Sequence, residues 1–170
     1  MRKVLPTILA IIVAMILQVA IAPHIAIGGV VPNFLLLVVI TLAFTEGPRA
    51  GSAAGFAAGL AFDLLGTGPI GPMALVLAVV GHIVGSLSAN MFAEGWLMPV
   101  TIVFVASLVT EISYAIVLTA LGEGGPFFST LLRISLPSAL YNGVLALLIY
   151  PWLARLLRQD QTMKTFRRLA

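Results

Sequence analysis

Residues 46–71, EGPRAGSAAGFAAGLAFDLLGTGPIG, are the stretch that decides the fold. They begin with a Gly-Pro turn, continue as an apolar segment in which glycines recur every fourth residue, and end in a second turn of Gly and Pro. Glycines four residues apart lie on one face of a helix, and in a bilayer they let two helix backbones come into contact. The stretch therefore predicts a membrane helix that packs closely against a neighbour.

Composition excludes a water-soluble domain. Of the 170 residues, 61% are hydrophobic and 9% are charged, whereas a soluble domain carries about 25% charged residues. The absence of cysteine excludes disulfides, thiol catalysis and thiolate metal sites. A net charge of +3 is too small to suggest nucleic acid as a partner. The lipid bilayer is therefore the predicted surrounding of the chain.

Six apolar blocks predict an all-α polytopic membrane protein with six transmembrane helices. The blocks are residues 4–22, 31–45, 50–65, 72–89, 97–121 and 136–157. They form one transmembrane domain, residues 1–157, followed by a basic cytoplasmic tail, residues 158–170. Blocks two and three are shorter than the ~20 residues that span a bilayer. Because only residues 46–49 separate them, we expect a tight helical hairpin.

The first block shares a basic start with secretory signal peptides. Its apolar stretch has 19 residues, longer than the usual 7–15 of a signal peptide, and five further blocks follow. We therefore expect an uncleaved first span.

The positions of Lys and Arg predict the orientation. With six spans, both termini and the links after blocks two and four share one side, which carries eight of the nine basic residues. Those eight are Arg2, Lys3, Arg49, Arg155, Arg158, Lys164, Arg167 and Arg168. Both termini are therefore predicted to be cytoplasmic. Residues 126–135, which contain Arg133, are expected to form a short interfacial helix on the outer side. Residues 154–170 are either an amphipathic helix on anionic headgroups or a frayed tail.

Polar residues within or beside the apolar blocks are the candidates for a site, because a charge in the bilayer is costly unless it is paired or hydrated. They are Asp63, Glu111, Arg133, Asn142 and His82. Two interpretations are open: a polar cluster that lines an outward-facing groove, or a buried hydrogen-bonded lock in which Asp63 caps the turn at Gly66. The lock is favoured. His82, near the bilayer midplane, is predicted to be a satisfied interior histidine and not a ligand.

Gly51, Gly55 and Gly59 form a stripe of small residues on block three. Contact of this stripe with another protein is one interpretation, and internal packing is the other. Gly81 and Gly85 repeat the spacing in block four. Internal packing of block three on block four is therefore favoured.

Catalytic and cofactor-binding motifs are missing from the sequence. The two histidines are 58 residues apart, and no H-E-x-x-H, G-x-S-x-G, P-loop or G-x-G-x-x-G motif is present. Asp63 and Glu111 would have to meet face to face to act as an acid pair. We predict that the chain is not an enzyme and needs no cofactor or metal.

Five short motifs follow one another along the chain. They are Pro32-Asn33-Phe34-Leu35-Leu36-Leu37, Gly47-Pro48-Arg49-x-Gly51, Gly55-Phe56-x-x-Gly59-Leu60-x-x-Asp63-Leu64-Leu65, Gly68-Pro69-Ile70-Gly71 and Leu136-Pro137-Ser138-Ala139-Leu140-Tyr141-Asn142. In their order and spacing they resemble the rod shape-determining protein MreD family. The Pro48–Arg49 turn and Asp63 fit the pattern of that family.

The resemblance implies a small scaffold in the bacterial inner membrane that belongs to the cell-elongation machinery. It implies MreC as a partner, and the MreB filament and the wall synthases as indirect partners in directing peptidoglycan synthesis. It also implies a fold similar to the substrate-binding components of energy-coupling-factor transporters, which are six-helix membrane proteins with a pocket in the outer half.

The sequence is compatible with two functions, a scaffold and a small-molecule-binding component of a transporter. A scaffold would use the glycine stripe and the outer groove to hold a partner such as MreC. A small-molecule-binding component of an uptake transporter would use Asp63, Glu111, Arg133 and Asn142 to hold a polar solute. Because a solute site needs convergent polar groups, and these four are scattered in an apolar half, the sequence favours the scaffold.

Overall fold

The computed structural model describes residues 4–89, 97–123, 125, 129, 131–149 and 151–152. These residues are mainly helical, which confirms the all-α prediction. The helices are α1 (Val4–Ala20), α2 (Phe34–Glu46), α3 (Pro48–Leu65), α4 (Pro72–Ala89), α5 (Leu97–Ala120) and α6 (Leu131–Ile149). A 3-10 turn, Ala22–Ile25, follows α1. The predictions for the tail, residues 154–170, lie outside the described residues.

The lengths of the helices support the prediction of six spans only in part. Among the residues that the structure describes, two helices are long and apolar enough to cross a membrane: Val100–Ala120 and Leu131–Ile149. Thr7–Ala20, Phe34–Glu46 and Pro72–Ser88 are shorter apolar helices. The 13 residues of α2 rise about 20 Å, against about 30 Å for the hydrocarbon core. The six-helix organisation is present, and the crossing of the bilayer by every helix stays a prediction.

Helix α2 lies at the centre of the bundle. Every residue from Phe34 to Ala43 is buried, and the helix packs against α1, α3, α4 and α5. A helix that is apolar on all sides is either buried in protein or faces lipid, and α2 is buried in protein. It serves as the core around which the other helices pack.

The link between α2 and α3 is as tight as predicted. Gly47 has φ of 89°, and its N–H donates to the Ala43 carbonyl, which ends α2. This backbone region favours glycine. Pro48 then begins α3, where its missing N–H costs nothing. The two helices are therefore joined by a single residue.

The surface of the bundle is apolar, unlike that of a soluble protein, and its mainly apolar interior contains several polar side chains. Large apolar side chains are exposed on five of the described helices, α1, α3, α4, α5 and α6; examples are Leu9, Phe56, Val79, Val105 and Val144. Several polar side chains are buried instead, namely Asn33, Thr41, Asp63, Ser107, Thr110, Ser135, Ser138 and Asn142. Lipid solvates the first set, and the second set needs partners inside the protein.

The prediction of a separate interfacial helix at residues 126–135 is wrong for its second half. Leu131–Ser135 is a π-helical turn that continues directly into the rest of α6. Ser135 is buried at this junction, so the turn already belongs to the bundle and does not lie beside it. Residues 126–128 and 130 lie outside the described residues.

Candidate functional site

The glycine stripe of α3 lies against the backbone of α4. The most extensive helix–helix contact of the described structure is the one between these two helices. The facing groups are Gly51 with Gly81, Gly55 with Leu77, and Gly59 with Met73 and Ala74. A methyl group added at Gly55 would overlap with the carbonyl of Leu77. We refer to this contact of Gly51, Gly55 and Gly59 with α4 as the glycine seam.

The Pro48–Arg49 turn is part of the same contact. Gly85 of α4 lies so close to Pro48 that a Cβ at Gly85 would be 2.5 Å from the Pro48 Cα. The seam therefore runs from the first turn of α3 to Gly59. Because α4 covers it throughout, a partner protein has no access to the stripe. The interpretation of the stripe as a partner surface does not fit this geometry.

Asp63 connects the end of α3 to the beginning of α4. Its carboxylate is buried, with 5% of the residue exposed. Oδ2 accepts hydrogen bonds from the N–H groups of Gly71 at 2.9 Å, Met73 at 3.1 Å and Ala74 at 3.2 Å. The first N–H groups of a helix have no partner within the helix, and the positive end of the helix dipole favours an anion there. Asp63 is thus the cap of α4.

This cap differs from the one that the sequence predicts. The sequence places the cap at Gly66, but the Gly66 N–H donates to the Phe62 carbonyl at 3.0 Å. The Gly-Pro turn brings the amides of α4 back to the carboxylate, and Pro72 at the start of α4 has no N–H to offer. Because the cap comes from α3, it fixes the angle between α3 and α4 as well as the start of α4.

Asn142 joins three helices by hydrogen bonds. It is fully buried in α6. Its Oδ1 accepts from the N–H of Asn33 at 2.8 Å, and its Nδ2 donates to the Ser107 hydroxyl of α5 at 2.7 Å. Asn33 in turn caps α2, because its side chain accepts from the N–H of Leu36 at 2.9 Å. One amide therefore holds α2, α5 and α6 in register.

Glu111 extends this connection by one helical turn. The Ser138 hydroxyl of α6 donates to Glu111 Oε1 at 3.0 Å. The two bonds between α5 and α6, Ser107 to Asn142 and Glu111 to Ser138, are four residues apart on each helix and run in opposite directions along the sequence. The helices are therefore antiparallel, and we call these two bonds the polar ladder.

Tyr114 marks the end of the bundle at which the acids lie. It is one turn beyond Glu111 on α5, and its hydroxyl would lie 3.8 Å from a Cβ at Gly68, in the turn that follows Asp63. In the described part of the chain, no hydrogen bond joins the two carboxylates. Each acid has its own partners, backbone amides for Asp63 and a serine for Glu111. They are not arranged as a catalytic pair.

Two further polar contacts were not among the sequence candidates. The Gln18 side chain accepts from the Phe34 N–H at 2.9 Å and donates to the Pro32 carbonyl at 3.0 Å, which joins α1 to the start of α2. The Tyr141 hydroxyl donates to the Ile25 carbonyl at 2.6 Å. Gln18 is the one amide side chain in the first apolar block, and this was the signal in the sequence that could have identified it.

His82 and Arg133 lie apart from the other candidates. Both are exposed, and among the described residues Arg133 forms no ion pair with Asp63 or Glu111. The prediction of an interior His82 is wrong. The neighbouring Gly81 faces the seam, and the next residue of a helix is rotated by about 100°. His82 therefore points outward, where it lines an open groove together with Arg49.

Within the described part of the chain, no three His, Cys, Asp or Glu side chains come together to hold a metal ion. The buried polar candidates bind to one another and to the backbone. What this arrangement can do chemically is to fix the positions of helices.

Comparison with known proteins gives the family. The model of the family described as rod shape-determining protein MreD matches residues 1–159. No curated protein and no solved structure matches the chain, so the predicted similarity to energy-coupling-factor components has no support. The family is one of membrane proteins with a role in determining rod shape. With a match over nearly its whole length, and with a bundle whose exterior is apolar, this chain belongs to the MreD family.

Proposed function

We propose that this protein is a non-catalytic scaffold of the bacterial cell-elongation machinery, which binds an MreC-like membrane protein and helps to organise peptidoglycan synthesis. The observation that carries the proposal is the family match over residues 1–159. The protein would lie in the cytoplasmic membrane as a multi-pass protein with both termini in the cytoplasm. The MreB filament and the wall synthases would be reached through the partner.

The use of the buried polar groups supports a scaffold. Asp63, Glu111 and Asn142 each hydrogen bond to another part of the same chain. A solute-binding protein presents such groups to its ligand, and an enzyme presents them to the reacting atoms. Here these groups hold the helices together. A scaffold needs helices in fixed positions, because it offers a fixed surface to its partner.

Because the glycine seam is covered, we place a membrane span of the partner on the lipid-facing surface. Exposed apolar residues are available on several helices, among them Leu9 on α1, Val79 on α4 and Val105 on α5. A single membrane span of the partner would meet one of these faces. Photo-crosslinkers at the three positions distinguish them: crosslinks to an MreC-like protein from one face support the proposal.

The decisive experiment combines complementation with purification. In a rod-shaped bacterium lacking its own MreD protein, expression of this chain together with its MreC-like partner should restore rods. The partner should then co-purify with the chain in detergent. Spherical cells together with a small molecule bound stoichiometrically in native mass spectrometry would contradict the scaffold and favour the uptake component.

A further inference from the structure

An open groove of about 590 Å³ lies on the exposed surface of the α3–α4 hairpin. It is lined by Arg49, Ser52, Ala53, Phe56, Ala78 and His82. The α3 residues follow the spacing i, i+3, i+4, i+7 and form one face, and the two α4 residues are one turn apart. The groove is on the exposed side of the hairpin and is separate from the glycine seam and the polar ladder.

The lining of the groove changes from charged to apolar along its length. Arg49 lies in the first turn of α3, and His82 is next to Gly81, which contacts Gly51. Phe56 is seven residues after Arg49, or about 10 Å along the helix. The groove thus has a polar end at Arg49 and His82, where Arg49 carries the charge, and an apolar end at Phe56.

The two polar side chains at this end of the groove, Arg49 and His82, are available for a ligand. In the described part of the chain, neither the Arg49 nor the His82 side chain takes part in a hydrogen bond or an ion pair. The acid nearest to Arg49 in sequence, Glu46, does not line the groove. A polar side chain on a membrane surface is costly without a polar partner, and His82 is seven residues, about 10 Å, inside the end of α4.

We propose that this groove binds an anionic phospholipid, with the phosphate at Arg49, Ser52 and His82 and an acyl chain along Phe56. A guanidinium group presents a planar set of donors that matches a phosphate group. The charge pattern predicts that the Arg49 end faces the cytoplasm, where the leaflet contains anionic lipids. The exposed Phe56 makes the apolar end of the groove continuous with the lipid-facing surface. A phospholipid, which has both a phosphate and an acyl chain, matches such a groove better than a carboxylate of a partner helix does.

The test uses the full chain alone in nanodiscs, so that its outcome does not depend on the scaffold proposal. Phosphatidylglycerol is added to phosphatidylcholine nanodiscs, and native mass spectrometry after detergent exchange counts the retained lipid. We expect one retained phosphatidylglycerol and a higher unfolding temperature than in phosphatidylcholine alone. Arg49→Gln and His82→Gln should each weaken retention roughly tenfold.

Arg133→Gln is the matched control, because it removes the same charge from an exposed position outside the groove. It should leave retention unchanged. Equal retention by the wild type and both groove variants overturns the proposal, and so does an equal loss in Arg133→Gln, which indicates attraction of lipid by net charge only. A separate purification from cells tests the alternative: loss of a co-purifying protein partner from the groove variants, with lipid retention in nanodiscs unchanged, would assign the groove to a protein carboxylate and also overturn the proposal.

Discussion

Helices α3 and α4 are held together differently from helices α5 and α6. In the first pair the backbones touch, and a methyl group at Gly55 would overlap with the Leu77 carbonyl. The second pair has a glycine as well, Gly143, but a Cβ there would lie 3.6 Å from the Phe104 side chain, an ordinary van der Waals distance. The second pair is joined instead by the two hydrogen bonds of the polar ladder.

The difference shows two ways of joining helices where lipid removes the hydrophobic driving force. Small residues allow dispersion forces to act between two backbones, and polar side chains replace partners that lipid cannot offer. The first way depends on space along a whole helix face. The second depends on a few atoms, each of which can be replaced without creating a clash.

The largest effect is expected from the same substitution at the two glycines. Gly55→Ala should destabilise the protein by at least about 2 kcal/mol, because the added methyl forces the α4 backbone away. Gly143→Ala should be neutral or stabilising, because alanine favours a helix by about 1 kcal/mol and has room here. Thermal unfolding in detergent measures both. Equal losses would remove the distinction between the two helix pairs.

A smaller effect is expected at the cap of α4. Asp63→Ala leaves three amides without an acceptor and should cost about 2 to 3 kcal/mol. Asp63→Asn keeps an acceptor oxygen and should cost about 1 kcal/mol. The exposed neighbour provides the control, and Leu64→Ala should change the unfolding temperature little. If Asp63→Asn retained full stability but abolished a measurable turnover, the residue would be catalytic and not structural.

The smallest effect is expected in the polar ladder. Hydrogen bonds between membrane helices contribute on average about 0.6 kcal/mol, so Asn142→Ala should cost about 1 kcal/mol for its two bonds. A double-mutant cycle with Ser107→Ala isolates the bond between them. Val144→Ala, on the exposed face of the same helix, is the control. A cost as large as that of Gly55→Ala would mean that the ladder, and not the seam, dominates the stability of the bundle.

Local and periodic features were predictable from the sequence. The predicted blocks agree with α3, α4 and α5 within two residues at each end, because Gly and Pro mark the turns and apolar runs mark the helices. The face of α3 that packs follows from glycines four residues apart. Polar residues in apolar blocks could be singled out because lipid makes such residues rare. Of these, Asp63, Glu111 and Asn142 form hydrogen bonds inside the bundle.

The partners of those polar residues were not predictable. Asn142 meets an amide 109 residues away in the chain, and no local pattern specifies that pairing. His82 was placed in the interior because polarity alone does not show on which side of a helix a residue lies. His82 directly follows Gly81, so it points away from the glycine seam. This conclusion requires knowing that Gly81 faces the seam, which the structure shows.

The sequence by itself determined that this protein is a set of apolar helices with close-packing glycines, since composition and spacing act over a few neighbouring residues. Only the tertiary structure decided that Asp63 caps the following helix, that Asn142 joins three helices, and that Arg49 and His82 line the same open groove on the α3–α4 hairpin. Each of these depends on how distant segments are brought together, which packing of the whole bundle sets.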